Sequence, residues 1–410
     1  MKTTDASDGG KLYPGQAVRF VVLLGVVSLF ADMTYESARS ITGPYLALLG
    51  ASATVVGVTA GLGELLGYAL RFVSGMVADR TARYWMITIW GYCLNLLAVP
   101  ALALAGNWQI AVSLIFMERI GKALRNPPRD AMLSFAGRHT GVGWGFALHE
   151  AMDQTGAVVG PLIVAAVLMS SNNYRLSFGI LLIPAVLSIC TLMVARMRYP
   201  RPSSLEPATP RLDVRGHGRT FWLYLAATAC IAAGFADYPL IAYHFGKTGT
   251  VAPEWIPILY SIAMGVDGLA ALVLGRLYDR SGARVLLAAA LCSVPVAPLV
   301  YLGGFGCGLA GAILWGIGMG AQESVMKAAV ATMSPAARRG TAFGTFNMSF
   351  GVFWFVGSAI MGTLYDRSIM GLVLFSTIIQ TAALPLLYLV ARAIHRKNGI
   401  ACNAPAGEGK

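Results

Sequence analysis

The sequence predicts an all-α integral membrane protein, with twelve transmembrane helices arranged as two pseudo-symmetric six-helix bundles. Three observations predict it. Hydrophobic residues make up 56% of the 410 residues and charged residues only 12%, about half the charged share of an ordinary soluble domain. Apolar runs recur along nearly the whole chain, each near the ~20 residues that a helix needs to cross a hydrocarbon core of about 30 Å. A phrase is also doubled, since Gly75-Met-Val-Ala-Asp79-Arg80-Thr-Ala-Arg83 returns 200 residues later as Gly275-Arg-Leu-Tyr-Asp279-Arg280-Ser-Gly-Ala-Arg284. Phe30-Ala31-Asp32, echoed by Phe235-Ala236-Asp237, extends the internal similarity, and two related halves account for both echoes.

Hydropathy places the crossings at approximately 17–46, 51–78, 84–105, 109–135, 140–170, 175–198, 219–245, 253–277, 283–303, 307–333, 339–365 and 369–393. Charges interrupt the fourth (Arg119, Lys122, Arg125) and the tenth (Glu323, Lys327). The N-terminal bundle is assigned to 1–198, a cytoplasmic linker to 199–218, the C-terminal bundle to 219–395 and a tail to 396–410. Pro200, Pro202, Pro207 and Pro210 make the linker an extended tether and not a third folded unit. No cleaved signal peptide is expected, because no small-residue cleavage site precedes the first apolar run.

Orientation follows from the loops, since Lys and Arg accumulate on the cytoplasmic side. Lys2, Lys11, Arg19, Arg80, Arg83, Arg138, the arginines of 196–219, Arg280, Arg284, Arg338, Arg339, Arg392, Arg396 and Lys397 alternate with outer loops holding only Arg175, Lys247 and Arg367. Both termini are therefore expected in the cytoplasm, with the chain a multi-pass protein of the inner cell membrane. The formal charge of +12 is spread through short loops without a basic or aromatic platform, so the lipid bilayer, and not nucleic acid, is the expected macromolecular surroundings. Five of the six cysteines lie in apolar runs and no metal-ligand spacing appears, so neither metal nor cofactor is expected.

With these residues in view, the chain resembles the major facilitator superfamily of secondary transporters, along essentially its whole length. The resemblance rests on two six-span halves, a central linker and Gly-x-x-x-Asp-Arg phrases closing spans two and eight. It implies that Gly75, Asp79, Arg80, Arg83, Gly275, Asp279, Arg280 and Arg284 form a cytoplasmic latch, with Asp79 facing a helix N-terminus and the arginines pairing with acids. One departure is that Ala82 stands where the family has a second glycine, which Gly282 supplies in the other copy. A further near-copy, Gly362-Thr-Leu-Tyr-Asp366-Arg367, falls on the outer face by span count and is not assigned to the latch. Gly156, Gly160 and Pro161 in span five partly match a signature of antiporting exporters. Val164 and Ala165 replace its later glycines, and close helix packing explains the same residues.

Ionisable residues inside spans cost several kcal/mol unless paired or set in a wet cavity. Asp32, Glu36 and Arg39 share one helical face, as do Glu64, Tyr68 and Arg71. Span four adds Glu118, Arg119 and Lys122, and span five His149, Glu150 and Asp153. Asp32, Glu36, Arg39, Glu64, Arg71, Arg119, Glu150 and Asp153 are the candidates for proton coupling, Asp32 and Glu36 first, and the arginines are counter-charges. The resemblance adds that a span-four arginine placed like Arg119 often takes part in proton coupling. Static pairs Asp32/Arg39, Glu64/Arg71 and Glu150/Arg119 are the competing reading.

Tyr35, Tyr68, Lys122, His149, Asp237, Tyr238, His244, Asp267, Glu323, Lys327, Phe346 and Phe350 are candidates to line a substrate cavity between the halves. The stripe Arg119, Lys122, Arg125 and Arg129 suits an anionic cargo, with Asn126-Pro127-Pro128 ending the helix and leaving Arg129 and Asp130 in a loop; snorkelling is the alternative. The expectation is proton-coupled export of a small organic compound by a monomer. Proton symport of an organic anion or metabolite is the first alternative, and a receptor or scaffold the second. No enzyme is expected, because no nucleophile with its base, metal set or phosphate-cradling loop appears.

Overall fold

A computed structural model describes residues 14–140, 142–200, 218–282, 284–334 and 339–402, with side chains at 18–134, 148–200, 218–282, 284–334 and 342–394. Most of the linker expected at 199–218, part of the expected tail and the loop cation Arg338 lie outside what is described, and Arg138 is described without its side chain. Helices run in the order α1 (Pro14–Leu48), α2 (Ala53–Thr81), α3 (Tyr84–Ala101), α4 (Trp108–Thr140), α5 (Val142–Ser171), α6 (Tyr174–Ile180), α7 (Leu182–Arg198), α8 (Arg219–Gly234), α9 (Tyr238–Thr248), α10 (Trp255–Ser281), α11 (Arg284–Ser293), α12 (Val296–Leu302), α13 (Phe305–Gly320), α14 (Met326–Met333), α15 (Arg339–Arg367) and α16 (Ile369–Cys402). Eleven stretches among the described residues are long and apolar enough to cross a membrane. The twelfth, α4, has the length but carries Glu118, Arg119, Lys122, Arg125, Arg129 and Asp130.

Prolines explain where spans break and where they do not. The ring of a proline removes an N–H and crowds the carbonyl four residues earlier. Pro184 follows the α6/α7 joint and Pro295 the end of α11. Pro239 sets the break between α8 and α9, where side chains take over the freed backbone groups: Ser376 Oγ and Gln380 Nε2 donate to the Gly234 carbonyl at 2.6 and 2.9 Å, and Trp315 Nε1 donates to that of Ala236 at 2.9 Å.

The expected helix stop at Asn126-Pro127-Pro128 is corrected, because α4 runs through both prolines to Thr140. Pro128 orphans the Leu124 carbonyl, and Ser74 Oγ of α2 donates to it at 2.6 Å. At the other end of the chain α16 continues to Cys402, into the segment expected to be tail. In the tenth span a single π-helical turn, Ala321–Val325, lies between α13 and α14.

By packing, the chain divides into two units. The first is Met1–Thr209 with Tyr238–Met264, and the second is Pro210–Asp237 with Gly265–Lys410. This division does not coincide with the linear boundary expected at 199–218, because α9 and the start of α10 pack with α1. Gly43 is what permits it: a Cβ there would fall on the Pro239 carbonyl and within 2.6 Å of the Tyr243 nitrogen. Toward the start of α1 the first unit closes on an apolar core in which Phe20 meets Trp85 and Tyr199, and Trp85 Nε1 donates to the Tyr199 carbonyl at 3.0 Å.

Candidate functional site

α1, α2 and α4 gather a charge network in the interior of the first unit. The common face of Asp32, Glu36 and Arg39 forms, yet its members reach across to other helices. Arg39 Nη2 lies 3.4 Å and Arg119 Nη1 2.8 Å from the same Glu64 oxygen. Arg119 Nε is 3.2 Å from Glu118, whose carboxylate also accepts from Asn95 Nδ2 of α3 at 2.9 Å. Lys122 Nζ sits 3.7 Å from Glu36 and 3.7 Å from the centre of the Tyr35 ring. Glu36 Oε2 accepts a short hydrogen bond from the Tyr260 hydroxyl of α10. Of the expected static pairs, the two along single helices, Asp32/Arg39 and Glu64/Arg71, give way to cross-helix contacts: Arg39 and Arg119 share Glu64, while Arg71 stacks on Tyr68 at 5.5 Å. Burial of several charges in an apolar bundle is tolerable because opposite charges interleave.

A second cluster lies one to two turns along α4. Arg125 is 1% exposed, 4.2 Å over the Tyr92 ring and 5.5 Å over that of Tyr35, with Nε and Nη1 buried without a hydrogen-bond partner. Arg129, expected in a loop, is instead buried: it pairs with Asp130 at 2.9 Å and donates to Ser28 Oγ at 3.0 Å. Ser28 Oγ meets His149 Nε2 at 2.8 Å, and His149 Nδ1 lies 3.7 Å from Asp153. Asp32 is buried beside this cluster with Oδ1 unsatisfied, its Cβ close to Gly156 of α5. Neither arginine snorkels.

A cavity of about 30 Å³ adjoins the first cluster, lined by Tyr35, Arg39, Thr42, Thr59, Glu118 and Arg119 among others, with room for about two water molecules. Arg39 and Arg119, which line it, are the two partners of Glu64.

Other expected site residues fall elsewhere. Glu150 is exposed, while Asp153 three residues on is not. In the second unit Asp237 Oδ2 accepts from Trp354 Nε1 at 3.1 Å, and Trp354, Phe350 and Phe346 follow one another with ring centroids 5.5 and 5.6 Å apart. Asp267 is buried in the same unit, and Glu323 and Lys327 are exposed. Tyr238 and His244 are buried on α9 in the first unit, where the Tyr238 hydroxyl donates to the Ile256 carbonyl at 2.7 Å.

At the doubled phrase, Asp79 accepts from Tyr84 OH at 3.1 Å, a local contact, and Asp279, Arg280 and Arg284 are exposed. Ala82 adopts φ 53 where Gly282 adopts φ 63, so the two copies share the left-handed turn despite the missing glycine. Gly156 and Gly160 lie against the α1 backbone at Leu29 and Met33, with Pro161 buried beside them. Tyr260, Asn95 and Ser28 were not among the expected site residues. Nothing in the local pattern separates these neutral side chains from ordinary core.

Comparison with known proteins agrees with this architecture. A family model described as Major Facilitator Superfamily matches residues 24–358 and 237–401. An uncharacterized protein of Mycobacterium tuberculosis is 40% identical over 386 residues, covering 91% of this chain and 93% of the relative. An uncharacterized MFS-type transporter of Methanocaldococcus jannaschii is 27% identical over 368 residues, covering 85% of this chain and 89% of its own. The multidrug resistance protein MdtH of Edwardsiella ictaluri is 32% identical over 152 residues, 37% of this chain and 36% of its own. Among solved structures, a peptide transporter POT in complex with sulfate aligns with TM-score 0.72 at 14% identity over 94% of this chain and 99% of its own. The nucleoside transporter NupG aligns with TM-score 0.72 at 13% identity over 90% and 98%.

Proposed function

The chain belongs to the major facilitator superfamily, and from that premise we propose that it exports a small organic compound in exchange for protons. The family and fold are those of secondary transporters, and the chain is a multi-pass membrane protein. Proton coupling rests on one observation, the buried network in which Glu36, Glu64 and Asp32 face Lys122, Arg39, Arg119 and Arg125. Carboxylates held this way change their partners when they gain or lose a proton, which is the property a coupling site needs. Export is supported by the partial likeness to multidrug resistance proteins named MdtH and by the Gly156-x-x-x-Gly160-Pro161 phrase. In this reading, 1–198 and 219–395 are the two bundles, 199–218 links them on the cytoplasmic side with both termini, the membrane is the inner one, and a monomer holds the whole pathway.

Uptake of an organic anion by proton symport is the second reading, favoured by the unpartnered Nε and Nη1 of Arg125 beside Lys122 and Arg129. Guanidinium groups left without partners in an apolar interior fit a carboxylate or phosphate. Purified protein in liposomes enclosing a pH indicator, challenged with amphipathic cations, organic anions and neutral metabolites, separates the two. Proton movement opposite to substrate is the expected result; movement in the same direction selects symport. Absence of both proton movement and radiolabelled flux across the panel would count for a receptor or scaffold.

A further inference from the structure

The segment Tyr238–Met264 is the one part of the second sequence half that packs in the first unit, and its attachments differ in kind. The α9 backbone sits against α1 at Gly43, the Tyr243 hydroxyl donates to the Ala51 carbonyl at 3.3 Å, and Ser261 Oγ donates to the Val158 carbonyl at 2.7 Å. These three contacts are between neutral groups, with Lys247 Nζ also donating to the Tyr243 hydroxyl at 3.4 Å. The bond from Tyr260 to Glu36 answers to pH.

Its surroundings aim it. Tyr260 is wholly buried, with its ring 4.4 Å from that of Tyr238, whose own hydroxyl is taken by the Ile256 carbonyl. At 0% exposure the Tyr260 hydroxyl is shielded from bulk solvent, and it donates to Glu36. The charges around Glu36 are Asp32 and Arg39 on α1, Arg119 and Lys122 on α4, and, one step further, Glu64 on α2 and Asp153 on α5; Tyr35 and Tyr260 are the phenols, and α9 carries His244.

We propose that Tyr260 is the positioning residue through which ionised Glu36 holds Tyr238–Met264 docked on α1, so that proton loading of Glu36 releases the segment. A hydrogen bond to a carboxylate is roughly twice as strong as one to a neutral acceptor. When an Oε atom takes a proton from water, that advantage is lost, together with the attraction of Lys122 3.7 Å away. Docking is therefore strongest with Glu36 ionised and weakens as pH falls. The docked contact lies toward the α1 end bearing Leu48, away from the Pro14 end, so protonation opens that end and deprotonation closes it. This inference rests on the proton-coupled reading above and supplies its missing link, a named contact that converts the charge of one carboxylate into movement of a helix.

The test places spin labels at Leu48→Cys and Thr248→Cys, two exposed positions at the ends of α1 and α9, in an otherwise cysteine-free full-length chain in lipid nanodiscs. Acidification from about pH 8 to about pH 3, through the ordinary glutamate value of about 4.3, is expected to shift the label separation from short to long. Glu36→Gln, which keeps the size but cannot ionise, is expected to show the long separation at both pH values. Tyr260→Phe, which keeps the ring on Tyr238, is expected to lower the docked population at high pH by about tenfold and flatten its pH response. A wild-type response surviving in both variants would overturn the proposal. Proton and substrate flux are measured on the same samples. Separations that respond as expected without proton-coupled flux would remove the transport reading and leave the switch standing.

Discussion

Glu64 is the acid on which two arginines from different helices converge, which makes Glu64→Gln the most informative single change in the network. Its carboxylate takes Arg119 at 2.8 Å and Arg39 at 3.4 Å. Removing one partner of a buried ion pair costs about 3–5 kcal/mol, because the remaining charge stays buried. The glutamine oxygen keeps one hydrogen bond worth about 1 kcal/mol. The 18% exposure of the Glu64 side chain lets water relieve a little more. The expected net loss is about 2–3 kcal/mol, or roughly 5–10 °C in midpoint for a cooperative unit of this size.

Thermal unfolding of the purified protein in detergent measures that loss. A double-mutant cycle with Arg119→Gln then isolates the pair, and the double variant is expected to be about 2 kcal/mol more stable than the sum of the single losses predicts. A coupling below about 0.5 kcal/mol would refute the reasoning, since it would mean that the 2.8 Å contact does not govern the burial of these charges.

Three further outcomes are expected. Ala82→Gly relieves a left-handed backbone at φ 53 and should stabilise the protein by about 0.5–1 kcal/mol, whereas Gly282→Ala at φ 63 should destabilise it by about 1 kcal/mol; paired unfolding curves read both signs. Gly160→Ala would bring a Cβ within 2.7 Å of the Met33 Cα, driving α1 and α5 apart at a cost of about 1–3 kcal/mol with loss of substrate flux, while Gly275→Ala, with open space around it, should change neither. Asp32→Asn should abolish proton movement in the liposome assay yet leave substrate exchange across the membrane intact, and proton movement at the wild-type rate would remove Asp32 from the coupling site.

Much of the architecture is legible in the sequence because a membrane span announces itself by length and composition alone. The expected crossings at 51–78, 84–105 and 175–198 correspond to Ala53–Thr81, Tyr84–Leu104 and Tyr174–Arg198. Helical spacing also placed Asp32, Glu36 and Arg39 on one face. Spacing says nothing about which neighbour a face meets. The pairing of Arg39 with Glu64 of α2, and the capture of Glu36 by Tyr260 far along the chain, belong to tertiary packing and leave no local trace. The continuation of α4 through Pro127 and Pro128 was hidden for the same reason, because its remedy, the Ser74 hydroxyl, sits on another helix. The burial of Arg125 between tyrosine rings sets aside the snorkelling alternative, because the two rings that hold it come from α1 and α3 and leave no mark in its own helix.

The Phe-Ala-Asp echo shows one repeated phrase in two different local structures. In the first copy, Phe30-Ala31-Asp32 lies inside an unbroken α1, and its aspartate is buried among the ionisable groups of α4 and α5. In the second, Phe235-Ala236-Asp237 is the break between α8 and α9, and its aspartate accepts from Trp354. The nearest cause is Pro239, two residues past the second aspartate, where Thr34 stands in the first copy. A threonine keeps the N–H that continues the helix and adds a hydroxyl that donates to the Phe30 carbonyl at 2.8 Å. A proline removes that N–H and displaces the Phe235 carbonyl. The same substitution therefore separates Tyr238 and the rest of α9 from the helix that precedes them, which is what frees the segment carrying Tyr243 to lie along α1 within the first unit. One copy keeps its aspartate on an unbroken helix, and the other sets its aspartate at a joint.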